Sequence, residues 1–390
     1  MKRRDFVRGL VSMTTASGIL TSLGCVQSAG SESNSRASSM IAGTFSQRQY
    51  RDAVVIDALA SPIQFNIPQR SFPLTSSDLE SVKSSGITAV NLTVNRRGNS
   101  ESNSFEATLS RIAQWEREID AHPEVFSRVR SVADIRAAKQ NATLGLIHGF
   151  QDTLPFGEDL QRIDTFHGLG VRIAQLTYNI ENTVGSGSLV PTDSGLTEFG
   201  RQVVERMDDL GMLVDLSHCG PQTTIDGIRA SRKPVAITHS GCNTIFKHPR
   251  NKDDATLREM ADRGGVLGIY LMPFLNPVGP PDIDDMFSHL EYAVNLCGED
   301  HVGIGSDQGI VPLDIAGDFM TDFERVSASR QAAGIAAPRE DIPPYLPELN
   351  SPLRMQIIAE KLAARGHSTR LIEKILGDNF LRLFEEVWKT

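Results

Sequence analysis

The chain is poor in features that would commit it to several familiar classes. Its four cysteines, Cys25, Cys219, Cys242 and Cys297, form no CxxC pair, so neither a disulfide framework nor a zinc ribbon is indicated. Basic residues are outnumbered, 39 Lys and Arg against 48 Asp and Glu for a net charge of -9. No Lys/Arg patch is concentrated anywhere, which sets aside nucleic acid as a partner. Beyond residue 24 no run is apolar for long enough to span a bilayer. What remains, 40% apolar and 22% charged residues in a chain of 390, suits a globular enzyme-sized domain.

At the N-terminus Lys2, Arg3, Arg4, Asp5, Phe6 and Val7 resemble the twin-arginine pattern, and an uncharged, mildly apolar run covers residues 9–24. A Ser/Gly-rich stretch follows at once. Residues 1–29 therefore read as a twin-arginine export signal, 30–49 as a linker and 50–390 as one folded domain working in the periplasm. Cys25 follows Leu23 and Gly24 as in a lipoprotein cleavage box, although Ser22 stands where Leu is usual. A membrane tether through a lipid on Cys25 is the alternative destination.

After the linker, short β-branched-rich runs alternate with longer stretches of helical spacing, the pattern of repeated βα units on a parallel sheet. Eight such runs occur, at residues 54–57, 88–93, 143–150, 172–178, 213–217, 234–238, 266–270 and 302–306. Eight strands predict a closed (β/α)8 TIM barrel. Helix starts are marked by Thr75 to Asp78, by Asp193 with Ser194 and by Asp253 with Asp254; Gly86, Gly170, Gly211 and Gly264 mark stops before strands. Residues 312–352 are looser and proline-rich and read as a long loop, serving as a lid or as a contact in a homodimer. Residues 368–388 read as a closing helix with Leu371, Ile375, Leu376, Phe380, Leu383 and Phe384 on one face.

The active end of such a barrel is the C-terminal end of its strands. That filter leaves Asp57, Asn91, Gln151, Tyr178, His218, His239 and Asp307, with Arg250 in the loop after the sixth strand. His218 and His239 end successive strands beside Asp307, which is metal-ligand spacing. The other histidines, His122, His167, His248, His289, His301 and His367, fall on helices or loops and read as structural or solvated. Asp57 and Asp215 read as holders of backbone amides or of a neighbouring His, and Cys219 as pointing away from the site.

Several landmarks together resemble the membrane dipeptidase family, the renal dipeptidase-like metallopeptidases. They are Gly170-Val171-Arg172 with Leu176-Thr177-Tyr178-Asn179, Asp215-Leu216-Ser217-His218, Arg250-Asn251, His301 to Asp307, and Gly377-Asp378-Asn379-Phe380-Leu381-Arg382. The resemblance runs from about residue 54 to 388. It implies a barrel of the amidohydrolase type and hydrolysis of dipeptides or small peptides at a binuclear zinc centre. It assigns His218 and His239 to one zinc, Arg250 to the substrate carboxylate, and Asp307 to a place beside the activated water.

The chain also departs from that pattern. Leu59 and Ser61 stand where the family has its first-strand His-x-Asp pair, and Gln151 where it has a bridging Glu, with His148 the other candidate under a shifted alignment. Tyr178 stands where a His assists the tetrahedral intermediate. These replacements lead us to expect one zinc ion rather than two, on His218, His239 and weakly Gln151, with Asp307 and Tyr178 catalytic and Arg250 with Tyr178 binding substrate. The competing expectation is a non-hydrolytic periplasmic relative that binds or matures a small peptide or peptide natural product. A bare scaffold is the third.

Overall fold

The computed structural model describes residues 43–63, 72–95, 103–315 and 319–388. The export signal, Cys25 and the linker before residue 43 lie outside the described residues. In chain order the strands are β1 (Ile56–Asp57), β2 (Ala60–Ser61), β3 (Ala89–Thr93), β4 (Phe126–Arg128), β5 (Leu144–Phe150), β6 (Val171–Gln175), β7 (Leu213–Asp215), β8 (Ala236–Ser240), β9 (Val266–Ile269), β10 (Val302–Ile304) and β11 (Gln308–Gly309). The helices are α1 (Gln47–Asp52), α2 (Ser76–Ser85), α3 (Ser104–Ala121), α4 (Val132–Asn141), α5 (Gln161–Gly168), α6 (Glu198–Leu210), α7 (Pro221–Ala230), α8 (Asp254–Asp262), α9 (Ile283–Cys297), α10 (Phe319–Ala332), α11 (Arg354–Ala364), α12 (Thr369–Glu373) and α13 (Asn379–Val387).

The eight expected strands are all present and run parallel in the order β1, β3, β5, β6, β7, β8, β9, β10, with β4 pairing to β5. At the seam Ala58 N donates to Ile304 O at 2.9 Å, and β11 pairs in parallel with β2. The result is a (β/α)8 barrel with helices outside. Ile56, Ala89, Ile147, Ile173, Leu213, Ala236 and Val266, one from each of seven strands, pack in a single buried cluster with Phe380, Leu383, Phe384 and Val387 of α13. Residues from seven strands meet only inside the ring, so α13 covers that layer from the end opposite the strand tips. On the eighth strand Gly303 leaves room for the Phe380 ring, which a Cβ there would meet at 2.7 Å.

Local chemistry accounts for the helix boundaries. Thr75 with Asp78, Ser131 with Asp134 and Asp282 with Asp285 form capping boxes, and Asp253 accepts from Thr256 N. Asp193 does not start α6, which Thr197 caps. Its carboxylate instead accepts from Gln222 N and Thr223 N, capping α7, whose own cap residue Gly220 has no side chain to offer. The closing segment is not one continuous helix either. A π-helical turn over Lys374–Asp378 separates α12 from α13, where Gly377 brings the chain so close to β1 that a Cβ would lie 2.4 Å from Val54 O.

Close backbone approach also fixes Gly305, whose Cβ would fall 1.8 Å from Thr238 O. Gly305→Ala is expected to lower stability by about 3 kcal/mol through forced displacement of the neighbouring strand, read as a lower urea midpoint. An unchanged midpoint would contradict that packing.

His148, His248 and His289 are buried and their pKa values pushed down to about 4, in each case chiefly by desolvation. Because the folded pKa lies below the unfolded value near 6.5, their stabilising contribution is complete above pH 6.5 and is lost as pH falls toward 4. For His148 alone the loss at pH 5 is about 2 kcal/mol. Urea unfolding at pH 7 and pH 5 should show this drop, and His148→Asn should reduce it.

Candidate functional site

The tips of β6, β7, β8 and β10 converge on a cavity of about 80 Å³ lined by Tyr178, His218, Arg250 and Asp307. Its outer walls are Met272, Pro273 and Phe274 after β9, Phe323 and Arg330 of α10, and Glu340, Ile342 and Pro344 beyond it. The stretch of residues 312–352, expected to be a long loop, instead carries the helix α10, and its residues wall the cavity. A larger groove of about 480 Å³ is lined in part by Arg51, Lys83 and Lys139. These occupy the last turns of α1, α2 and α4, where cations answer the helix carbonyls, and none of the candidate residues reaches that groove.

The two histidines are held by hydrogen bonds at their Nδ1 atoms. Asp215 accepts from the hydroxyls of Ser217 and Thr238, each at 2.6 Å. Thr238 has thus spent its only proton, and its oxygen accepts from His239 Nδ1 at 2.8 Å. His218 Nδ1 lies 2.7 Å from Asn179 Oδ1, an acceptor, because the Asn179 amide nitrogen donates to Ile335 O at 2.9 Å. For His239 this places the proton on Nδ1; for His218 the Asn179 acceptor favours the same form, while Arg250 Nε donates toward the same Nδ1 at 3.0 Å. Their Nε2 atoms are buried without a partner, and the ring centres are 5.0 Å apart. Burial first, then Arg250, holds both imidazoles well below their usual pKa, so they are neutral.

Arg250 is buried, with Nε 3.0 Å from His218 Nδ1 and Nη1 lacking a protein partner. An unmatched guanidinium nitrogen at a cavity wall suits a carboxylate. Tyr178 stacks on His218 with ring centres 4.1 Å apart, and Arg330 donates to its hydroxyl at 3.3 Å. Asp307 adopts a left-handed backbone with φ 58° and donates its N–H to Leu59 O at 2.8 Å.

Other sequence candidates are placed elsewhere. Asp57 pairs with buried Arg354 at 3.0 Å and accepts from Ser306, so it fastens the barrel seam. Asn91 donates to Ala58 O and leaves a buried Oδ1 without a partner. The Gln151 amide donates to Thr93 at 3.0 Å, and Gln151 does not line the cavity with His218. His148 alternates with inward-facing Ile147 and so faces outward, 3.9 Å from Glu116 of α3. Cys219 is buried, its thiol pushed up to about 11 by desolvation and accepting from the Thr177 hydroxyl at 3.3 Å, and it does not line the cavity.

Two bare, buried Nε2 atoms fit a single metal ion. Leu59 is a buried apolar side chain, Ser61 stands two residues on, and Gln151 is turned to Thr93, so these three positions offer no strong metal-ligating group. Among the described residues no group of three His, Cys, Asp or Glu is placed to hold a metal. Sequence reasoning missed Asn179, Arg330 and Glu340. Asn179 follows Tyr178 within a motif already noticed, whereas Arg330 and Glu340 carry no local signal.

The family model of membrane dipeptidases, peptidase family M19, matches residues 47–330. The chain belongs to the membrane dipeptidase family. Its similarity extends to an amidohydrolase from Pseudomonas aeruginosa, 32% identical over 87% of this chain and 98% of that one, with a TM-score of 0.75. It is 26% identical to the dipeptidase tcpJ of Claviceps purpurea over 73% of this chain, spanning 60% of tcpJ. A metallopeptidase from Rhodobacter sphaeroides, liganded with a phosphinate mimic of the dipeptide L-Ala-D-Ala, shares the fold at 19% identity and a TM-score of 0.67, over 86% and 99% of the two chains. Membership of the membrane dipeptidases makes this chain a dipeptidase-like member of a metal-dependent hydrolase family.

Proposed function

We propose that this membrane dipeptidase relative hydrolyses a dipeptide or small peptide with one metal ion, zinc, held by His218 and His239. The observation that carries the reading is the pair of buried Nε2 atoms without partners, on rings whose centres are 5.0 Å apart. The chemistry a bound ion supplies is polarisation of the amide carbonyl and activation of water near neutral pH.

The chain's own groups do the rest. Arg250 Nη1 holds the substrate carboxylate and orients the scissile bond. Asp307 takes the proton from the attacking water and returns it to the leaving amine. The Tyr178 hydroxyl, steadied by Arg330, donates to the developing oxyanion. Met272, Phe274, Phe323 and Ile342 exclude bulk water. The cavity is far smaller than the several hundred Å³ usual for a ligand pocket, so substrate entry requires the segment over the site to withdraw. In this reading residues 1–29 export the protein and the domain works in the periplasm, free, tethered through Cys25 or paired as a homodimer.

Replacing Arg250 with Ala should raise KM for dipeptides about 100-fold while lowering kcat less, the signature of a lost carboxylate contact. An unchanged KM in steady-state assays of dipeptide cleavage would reject this role. The second reading, a relative that binds a small peptide or peptide natural product without cleaving it, is favoured by Leu59, Ser61 and Gln151 at ligand positions. It predicts peptide binding that depends on Arg250 with no turnover at any zinc concentration.

A further inference from the structure

We propose that Asn179 and the segment carrying Ile335 and Glu340 are positioning elements that decide which nitrogen of His218 faces the cavity bare. The consequence for metal binding rests on the function proposed above; the tautomer assignment does not.

His218 Nδ1 has two neighbours that ask opposite things of it. Asn179 Oδ1 at 2.7 Å accepts only, and Arg250 Nε at 3.0 Å donates only. A proton on Nδ1 satisfies Asn179 and leaves Nε2 bare toward the cavity. A bare Nδ1 satisfies Arg250 and puts the proton on Nε2, removing the lone pair that a metal needs. Being neutral, the ring has one proton for the two nitrogens.

What settles the contest lies across the cavity, in the segment beyond α10. The Asn179 amide nitrogen donates to Ile335 O at 2.9 Å and to Glu340 Oε1 at 3.3 Å. Turning the amide over would set its oxygen against those two oxygens, so Oδ1 stays on His218. Glu340 is held in turn by Arg330, whose Nε donates to Oε2 at 2.9 Å, and by Ser327, whose hydroxyl donates to Glu340 O at 3.2 Å. The same segment reaches the Arg250 loop. His248 Nε2 donates to Pro338 O at 2.9 Å while its Nδ1 accepts from Arg250 N at 3.1 Å. Seating of residues 335–340 thus selects the Nδ1–H form of His218, and their withdrawal hands the ring to Arg250.

The test is long-range ¹H–¹⁵N spectroscopy of the metal-free full chain with ¹⁵N-labelled histidine, the His218 signals being assigned by their loss in His218→Ala. The wild type is expected to show a bare Nε2, the nitrogen correlated with both carbon-bound ring protons. Asn179→Ala, which removes the acceptor, and Glu340→Lys, which reverses the demand on the amide, should each move the proton to Nε2. Both should weaken zinc binding about 10- to 100-fold, as loss of a group that orients a ligand does. Asn179→Asp and Glu340→Gln keep an acceptor in place and should retain the wild-type signature. Asn179→Asp should also restore it in the Glu340→Lys background. A wild type already protonated on Nε2, or Asn179→Ala and Glu340→Lys chains that keep the proton on Nδ1, would overturn the proposal whether or not the protein cleaves dipeptides.

Discussion

His239→Ala is expected to abolish dipeptide hydrolysis, lowering kcat/KM by at least about 1000-fold, with His218→Ala nearly as severe. Each substitution removes one of two bare imidazole nitrogens, and one neutral imidazole is a weak site for a divalent ion. His239 is the harder loss because it is fully buried and its ring is locked through Thr238 to Asp215. The loss of kcat/KM should far exceed any loss of folded protein. Each variant also gives up an Nδ1 hydrogen bond and a buried ring, and should unfold at a somewhat lower urea concentration while remaining folded under assay conditions. A His239→Ala enzyme with near-normal turnover would mean that the chemistry lies elsewhere.

The second large effect concerns stability. Arg354 of α11 and Asp57 of β1 form an ion pair with side chains 1% and 0% exposed. Arg354 also donates to Gly309 O at 2.7 Å and to Ser306 Oγ at 3.2 Å, so one guanidinium joins the first strand, the turn after the last strand and a C-terminal helix. Arg354→Met leaves a buried carboxylate without its cation and is expected to cost about 3–5 kcal/mol. Adding Asp57→Asn should recover part of that loss, because the stranded charge disappears with it. Equilibrium denaturation of the two single variants and the double variant reads the coupling. Simple additivity would show that the pair does not act as a unit.

Much of the barrel was legible because the strands fall in short, largely apolar runs and four of the preceding helices, α2, α5, α6 and α8, end near Gly86, Gly170, Gly211 and Gly264, signals confined to a few neighbouring residues. The tips of those strands likewise delivered Tyr178, His218, His239, Arg250 and Asp307, four of which line one cavity with His239 beside them. Long-range hydrogen bonds were not legible. Asn179 and Glu340 meet across 161 positions of sequence, and residues 312–352 show no period that would place them over the site. Asp193 misled because an Asp-Ser pair before a helical pattern reads as a cap whichever helix it serves. Gln151 sits at the expected strand tip, but a nearby Thr93 hydroxyl claims its amide, and sequence carries no record of that competition.

The proposed function requires one metal ion on one pair of imidazoles. Elemental mass spectrometry of the protein purified without chelator and equilibrated with zinc tests it most directly. The expected result is close to one zinc per chain, absent from a His218→Ala/His239→Ala control. A metal-free wild type, or two ions per chain, would contradict the account.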